Sequence, residues 1–172
     1  MIVVKVGGSL YDHPQLGPGL RAYLDSLGER VLVVPGGGSF ADAVRKLDAL
    51  HQLGEEVSHR LALQAMNLAG NFLKSLGISA TILNAVEFES ELPHSWNVTS
   101  DSIAAHAAIV HRASRLILLK SIDIPLGTSW SEATERGWVD PHFPTIVETA
   151  NLTVEAINFR RVLGGEPLVG SR

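Results

Sequence analysis

The sequence predicts an α/β fold, a three-layer α/β/α sandwich around a mainly parallel sheet. Three observations carry that prediction. Short runs rich in Val, Ile and Leu, at residues 2–6, 31–35, 78–83, 114–122 and 154–158, alternate with longer stretches whose apolar residues recur at helical spacing. The runs are close to continuously apolar, as in strands covered on both faces. Two of them end in glycine clusters, which permit a sharp strand-to-helix turn.

The first strand, Ile2 to Val6, is apolar except for Lys5 and runs into Gly7, Gly8 and Ser9. Residues 11–19 are rich in Pro and Gly and read as a loop, leading to a helix from Leu20 to Leu27 that Gly28 ends. The second strand, Val31 to Pro35, feeds Gly36, Gly37 and Gly38, and a helix follows over Ser39 to His51 with Phe40, Ala43, Val44, Leu47 and Leu50 at helical spacing. From Glu55 to Leu76 the apolar positions cover so much of the circumference that this helix should be buried on more than one side, by the core or by a second subunit. A homodimer or higher homo-oligomer is therefore expected.

Ile78 to Leu83 reads as a third strand, and Glu87 to Pro93 as an irregular acidic connection. Thr99 or Ser100 can cap a helix over Asp101 to Arg112, with Asp101 in the first turn, where the helix dipole favours a carboxylate. Ser114 to Ile122 is a buried strand. Residues 127–136 are polar and read as a mobile loop, Trp138 to Thr149 as a helix broken at Pro144, Val154 to Asn158 as a short strand, and 164–172 as a glycine-rich tail.

Composition excludes several classes. At 172 residues the chain fits one domain over 1–172, large enough to bury about 70% of its unfolded surface. The absence of cysteine removes disulfides, thiolate metal sites and cysteine nucleophiles, and is in keeping with a cytoplasmic home. A net charge of −4 without any Lys/Arg run argues against nucleic acid or an anionic membrane as partner. No stretch approaches the roughly 18 apolar residues of a membrane span, and Met1 opens directly into a strand rather than a basic leader.

Two strands of one sheet that both end in glycine turns would set two anion cradles side by side at the carboxyl ends. A lone glycine pair after a strand is usually only a tight turn. Two such pairs, with Lys5 inside the first strand where its ammonium can reach an oxygen over the glycines, point instead to a phosphorylated or carboxylated small-molecule ligand. Neither cluster has the spacing of the Walker or dinucleotide-binding patterns. The seven histidines show no HxH or HExxH spacing, so no metal site is expected. Trp96 is suited to stack on a flat substrate ring or to anchor the core, and Glu55, Glu56, Glu87, Glu89 and Glu91 read as solvated charges.

With KVGGSL at the start, VPGGGSFAD at 34–42, NVTSDSIAAHAA at 97–108 and LLKSID at 118–123, the chain resembles the amino acid kinase family, which includes acetylglutamate, carbamate, aspartate and uridylate kinases. Within it, SHRLALQAM at 58–66, HSWNVTSDS at 94–102 and VDPHFP at 139–144 resemble the small archaeal kinases of methanofuran biosynthesis, which phosphorylate an aminomethylfuran phosphate to the diphosphate.

The resemblance implies ATP as phosphoryl donor, with Mg2+ held mainly by the nucleotide phosphates, and a role in one-carbon metabolism. It implies that Lys5 neutralises charge on the transferring group, that Gly7, Gly8 and Ser9 bind nucleotide phosphate, and that Ser121 and Asp123 also contact nucleotide. Gly36, Gly37 and Gly38 would hold the acceptor, Asp101 would orient the catalytic lysines, and His59 and Asn97 would contact substrate; His94 sits in a shared word as well. Two departures stand out. Residues 123–172 contain no lysine to match the family's late catalytic lysine, and Arg136, Arg160, Arg161 and Arg172 are their only Lys or Arg residues. The family word TDVDG reads KSIDI, which marks the carboxyl-terminal half as abbreviated and makes Lys120 the candidate replacement cation. The competing expectation, motivated by the shortened carboxyl-terminal half and the missing lysine, is a non-catalytic ligand-binding or regulatory protein that retains the fold.

Overall fold

A computed structural model describes residues 1–88, 92–150 and 152–166. Five strands form one sheet in the order β3-β2-β1-β4-β5, every neighbouring pair parallel. They are β1 (Ile2–Val6), β2 (Val31–Pro35), β3 (Thr81–Ile82), β4 (Arg115–Lys120) and β5 (Val154–Asn158). The helices are α1 (Leu16–Ser26), α2 (Gly38–His51), α3 (Glu55–Ser75), α4 (Ser100–Val110), α5 (Trp130–Glu135), α6 (Phe143–Ala150) and α7 (Phe159–Leu163). Among the described residues, none of them is long and apolar enough to cross a membrane.

The pleat assigns each strand residue to one of two cores. Ile2, Val4 and Val6 of β1, with Val31, Val33, Ile117 and Leu119, pack on Leu16, Leu20, Tyr23 and Leu24 of α1 and on Phe159 of α7. Val3, Leu32, Val34, Leu116 and Leu118 face the other way, onto Leu63 and Met66 of α3, Ile103 to Ala108 of α4, and Phe143 and Val147 of α6. Both faces are thus covered, which is why the central strands tolerate almost no polar residue.

Several elements differ from the sequence expectation. α1 begins at Leu16 rather than Leu20 because Pro18 falls in the first turn, where a missing N–H leaves no bond unmade. β3 shrinks to two residues at the sheet edge. A 3-10 turn, Ala85–Phe88, opens the acidic connection after it, while residues 89–91, with Glu89 and Glu91, lie outside the described residues. The polar stretch 127–136 is not a loop throughout. It contains α5, whose N-cap Ser129 accepts a hydrogen bond from the Glu132 N–H at 3.1 Å and whose Trp130 and Ala133 are buried. Trp130 stands edge-on to Phe143 with ring centroids 5.1 Å apart.

α6 begins at Phe143, not Trp138, with Pro144 in its first turn, so 138–142 is a connection rather than a helix. The tail expected from residue 164 is preceded by the short α7, and residues 167–172 lie outside the described residues. α3 buries one face, through Leu63, Met66, Ala69 and Leu73, and leaves Val57 and Leu68 exposed. Within the described residues it packs against α2, β2 and the Ala85–Phe88 turn, and it contributes Leu63 and Met66 to one core and Leu73 to the other.

Candidate active site

The site follows from strand parity. In the register of β1 against β4, Lys5 lies opposite Leu118, and Lys120 is two residues further on. Leu118 and Val3 face the α4 core, so Lys5 and Lys120 project from that same face of two adjacent strands. α4 crosses above them with Asp101 in its first turn. Lys5 Nζ lies 2.9 Å from Asp101 Oδ1. Lys120 Nζ donates to Asp101 Oδ1 at 2.8 Å, to Oδ2 at 2.7 Å, and to the Trp138 carbonyl at 2.7 Å.

All three residues are buried, Lys5 and Asp101 at 5% exposure and Lys120 at 8%. Two ammonium groups against one carboxylate leave one positive charge in excess. Such an excess, held in low dielectric, is prepared to meet an anion. Burial alone would raise the Asp101 carboxyl, but the Lys120 and Lys5 charges outweigh it and hold it at about 2. Burial first, and then repulsion from Lys5, bring the Lys120 amine down to about 8 against the opposing pull of Asp101.

The two glycine turns interlock beside this triad. Gly7 N–H donates to the Leu119 carbonyl and Gly36 N–H to the Val6 carbonyl, each at 2.8 Å, tying both turns to the strand ends. The backbones then approach so closely that a Cβ on Gly8 would stand 2.3 Å from both N and Cα of Gly38, which itself has φ +52°. Only glycine fits either position. Tyr11 clamps the pair through its hydroxyl, which donates to the Gly36 carbonyl at 2.6 Å. At the third strand end, the Ser9 and Ser121 hydroxyls are 2.8 Å apart.

Two of the hollows on this rim meet beside the triad and the glycine turns. One, of about 250 Å3, is lined by Gly36, Gly37 and Gly38, by His59, Leu63 and Met66 of α3, and by Trp96. Its neighbour, of about 480 Å3, is lined by Lys5, Gly7, Asp101, Lys120, Ser121 and Trp138. Gly8, Ser9, Trp96 and Thr99 border both. The arrangement offers two ligand compartments that meet over a backbone cradle, with cations at the floor of the second.

The structure therefore gathers Lys5, Gly7, Gly8, Ser9, Asp101, Lys120 and Ser121 at one cleft, and puts Gly36, Gly37, Gly38 and His59 in the adjoining one. The His59 ring stacks on His94, centroids 4.9 Å apart and 14° from parallel. Trp96 is fixed on both sides: its indole N–H donates to Asp48 at 2.9 Å, holding that carboxyl below its usual range, and the Arg45 guanidinium lies 4.7 Å over its ring. Two expected residues stand apart. Asn97 is exposed and tied through its backbone, its carbonyl accepting from His142 N–H at 3.1 Å. Asp123 faces outward and pairs with Arg161 at 3.2 Å.

Three groups escaped sequence reasoning. The Trp138 carbonyl, as a backbone acceptor, carries no residue-type signal. Arg160, noted in the sequence only as a late cation, reaches back from α7 to donate to the Ser9 carbonyl at 2.6 Å. Asp140, in the VDPHFP word, takes over the cap of α4 expected from Thr99 or Ser100. The Thr99 side chain makes no cap bond to the helix and donates to Asp140 instead. No three His, Cys, Asp or Glu side chains converge into a metal site among the described residues.

No protein-family model matches the chain. Over 144 residues it is 28% identical to a 5-(aminomethyl)furan-3-yl methyl phosphate kinase of Methanocaldococcus jannaschii, the match covering 72% of this chain and 67% of the relative. Among solved structures it is similar to the uridylate kinase of Archaeoglobus fulgidus, with a TM-score of 0.68, 20% identity and 98% of each chain covered. It is also similar to the UMP kinase of Bacillus anthracis, with a TM-score of 0.66, 15% identity, and 97% of this chain and 93% of that one covered.

Proposed function

The chain has the amino acid kinase family fold, and on that footing we propose that it is a phosphotransferase moving the γ-phosphoryl group of ATP onto an anionic oxygen of a small phosphorylated acceptor. The observation that carries this reading is the buried triad, one carboxylate gathering two ammonium groups from adjacent strand ends. Phosphoryl transfer asks little covalent chemistry of a protein; placement and charge stabilisation supply most of the rate.

In this reading the nucleotide phosphates lie over Gly7, Gly8 and Ser9, and the acceptor occupies the hollow beside Gly36 to Gly38. The acceptor oxygen attacks the γ-phosphorus in line, the bond to the β-phosphate oxygen breaks, and ADP leaves. Lys5 and Lys120 face the charge that spreads over the transferring group. An ionised phosphate acceptor needs no general base, which suits a site whose Asp101 has both oxygens committed to lysines. Magnesium would neutralise charge on the nucleotide phosphates and be held by them, since Asp101 is so engaged.

In this reading Lys120 supplies the second cation that the late lysine gives in the resembled family, and its ion pair with Asp101 supports catalysis over a non-catalytic role. A compact hollow with an apolar wall of Leu63, Met66 and Ile103 and an aromatic side at Trp96 suits a small flat acceptor such as an aminomethylfuran phosphate. Incubation with MgATP and single acceptors, among them aminomethylfuran phosphate, UMP and carboxylates, read by 31P NMR, tests this. A new diphosphate resonance with the furan phosphate is expected. Absence of transfer to every acceptor would return the chain to the ligand-binding class.

A further inference from the structure

Asp140 lies in the connection between α5 and α6, is buried, and has no part in the function set out above. Its carboxylate collects five hydrogen bonds. Oδ2 accepts from Thr99 N–H at 3.0 Å, from the Thr99 hydroxyl at 2.9 Å and from Ser102 N–H at 2.9 Å. Oδ1 accepts from the Ser102 hydroxyl and from Phe143 N–H, the latter at 3.0 Å. One side chain thus caps α4 and α6 together. Asp101 sits between Thr99 and Ser102, so the residue that gathers the two lysines is gripped on either side by Asp140. Two residues earlier on the same connection, the Trp138 carbonyl takes the remaining hydrogen bond of Lys120.

A cap that served folding alone could be a neutral Ser, Thr or Asn. Backbone N–H donors reach both oxygens of this buried group, Thr99 and Ser102 on one and Phe143 on the other, which suits a carboxylate because an amide would turn its NH2 toward one of these sets. We propose that Asp140 is a positioning residue for phosphoryl transfer, fixing Asp101 through its neighbours Thr99 and Ser102 and Lys120 through the 138–140 backbone. Its effect on turnover rests on the kinase reading; its effect on the geometry of the triad does not. The charged groups set against Lys120 are Asp101 on α4, Lys5 on β1 and Asp140 itself, and the Asp140 charge favours the protonated amine.

The test uses the full chain with Asp140→Asn and, as a smaller change, Ser102→Ala. Displacement of the triad by a fraction of an ångström predicts a kcat loss of about 100-fold in Asp140→Asn with little change in KM for ATP. A lysine 13Cε titration without any substrate should show the Lys120 amine losing its proton at lower pH than in the wild type. A folded Asp140→Asn protein in which Lys120 titrates as before, or which keeps wild-type kcat, would overturn the proposal. If Asp140→Asn does not fold, Ser102→Ala decides: a lower kcat at constant KM supports the proposal, and an unchanged kcat overturns it. If the wild type itself transfers no phosphate, the kinase reading fails, and the titration alone still decides whether Asp140 governs Lys120.

Discussion

Lys120 Nζ donates to both carboxylate oxygens of Asp101, at 2.8 and 2.7 Å, and Lys5 holds the first of those oxygens from the neighbouring strand at 2.9 Å. Desolvating three charges costs several kcal/mol per ion before their mutual attraction repays it. A stability role alone would be served as well by three apolar residues. The arrangement makes sense as an electrostatic socket whose unbalanced positive charge is completed by a ligand anion.

Removing the second cation tests that reading at its least obvious point. Lys120→Met keeps the side chain's length and apolar stem and deletes the charge. Turnover should fall by about 100- to 1,000-fold, roughly 3–4 kcal/mol of transition-state stabilisation, while the thermal midpoint holds or rises as a buried ion is lost. Steady-state ADP release and calorimetric melting read the two effects separately.

Asp101→Asn should do harm of a different kind. It leaves two buried ammonium groups without their counter-ion, and breaking such a set typically costs about 3–5 kcal/mol. A urea titration should show a clear fall in midpoint at unchanged slope, along with loss of turnover.

Two pH effects follow, with opposite senses. Lys120, lowered by burial to about 8, loses its charge as pH rises through that value, so kcat/KM should decline on the alkaline side there. Asp101 has a folded value of about 2, below its unfolded value of 3.8. Its contribution to stability is therefore fully present above pH 3.8 and lost as pH falls through about 2. A chemical-denaturation series from pH 2 to 6 should show that slope in the wild type and a shallower one in Asp101→Asn.

Gly8→Ala forces a methyl into the Gly38 backbone, 2.3 Å from its N and Cα. Backbone cannot yield as a flexible side chain does, so the two glycine turns must part. A loss of about 1–3 kcal/mol of stability is expected from such overpacking, with a larger proportional loss of nucleotide affinity, read by calorimetry with a non-hydrolysable ATP analogue.

Much of the frame was legible in the sequence because it is local. β1, β2, β5 and α2 fall within a residue of their expected bounds, since each is a strong apolar run or helical repeat closed by Gly, Pro or a polar turn. Lys5 and Asp101 were legible because each breaks its surroundings, a charge inside an apolar strand and a carboxylate at a helix start. α5 was hidden because its polar residues masked Trp130 and Ala133, three apart on one face, and the Ser129–Glu132 cap. Asp140 was hidden for a deeper reason: its donors come from Thr99, Ser102 and Phe143, and only the folded chain brings α4 and α6 to one point.

The most direct measurement is acceptor-dependent ADP release by the wild type and Lys5→Ala, run side by side at saturating MgATP below pH 8. The wild type should release ADP only when the phosphorylated acceptor is present, and Lys5→Ala at a rate lower by about 100-fold or more. Equal rates from the two proteins would contradict phosphoryl transfer at this triad.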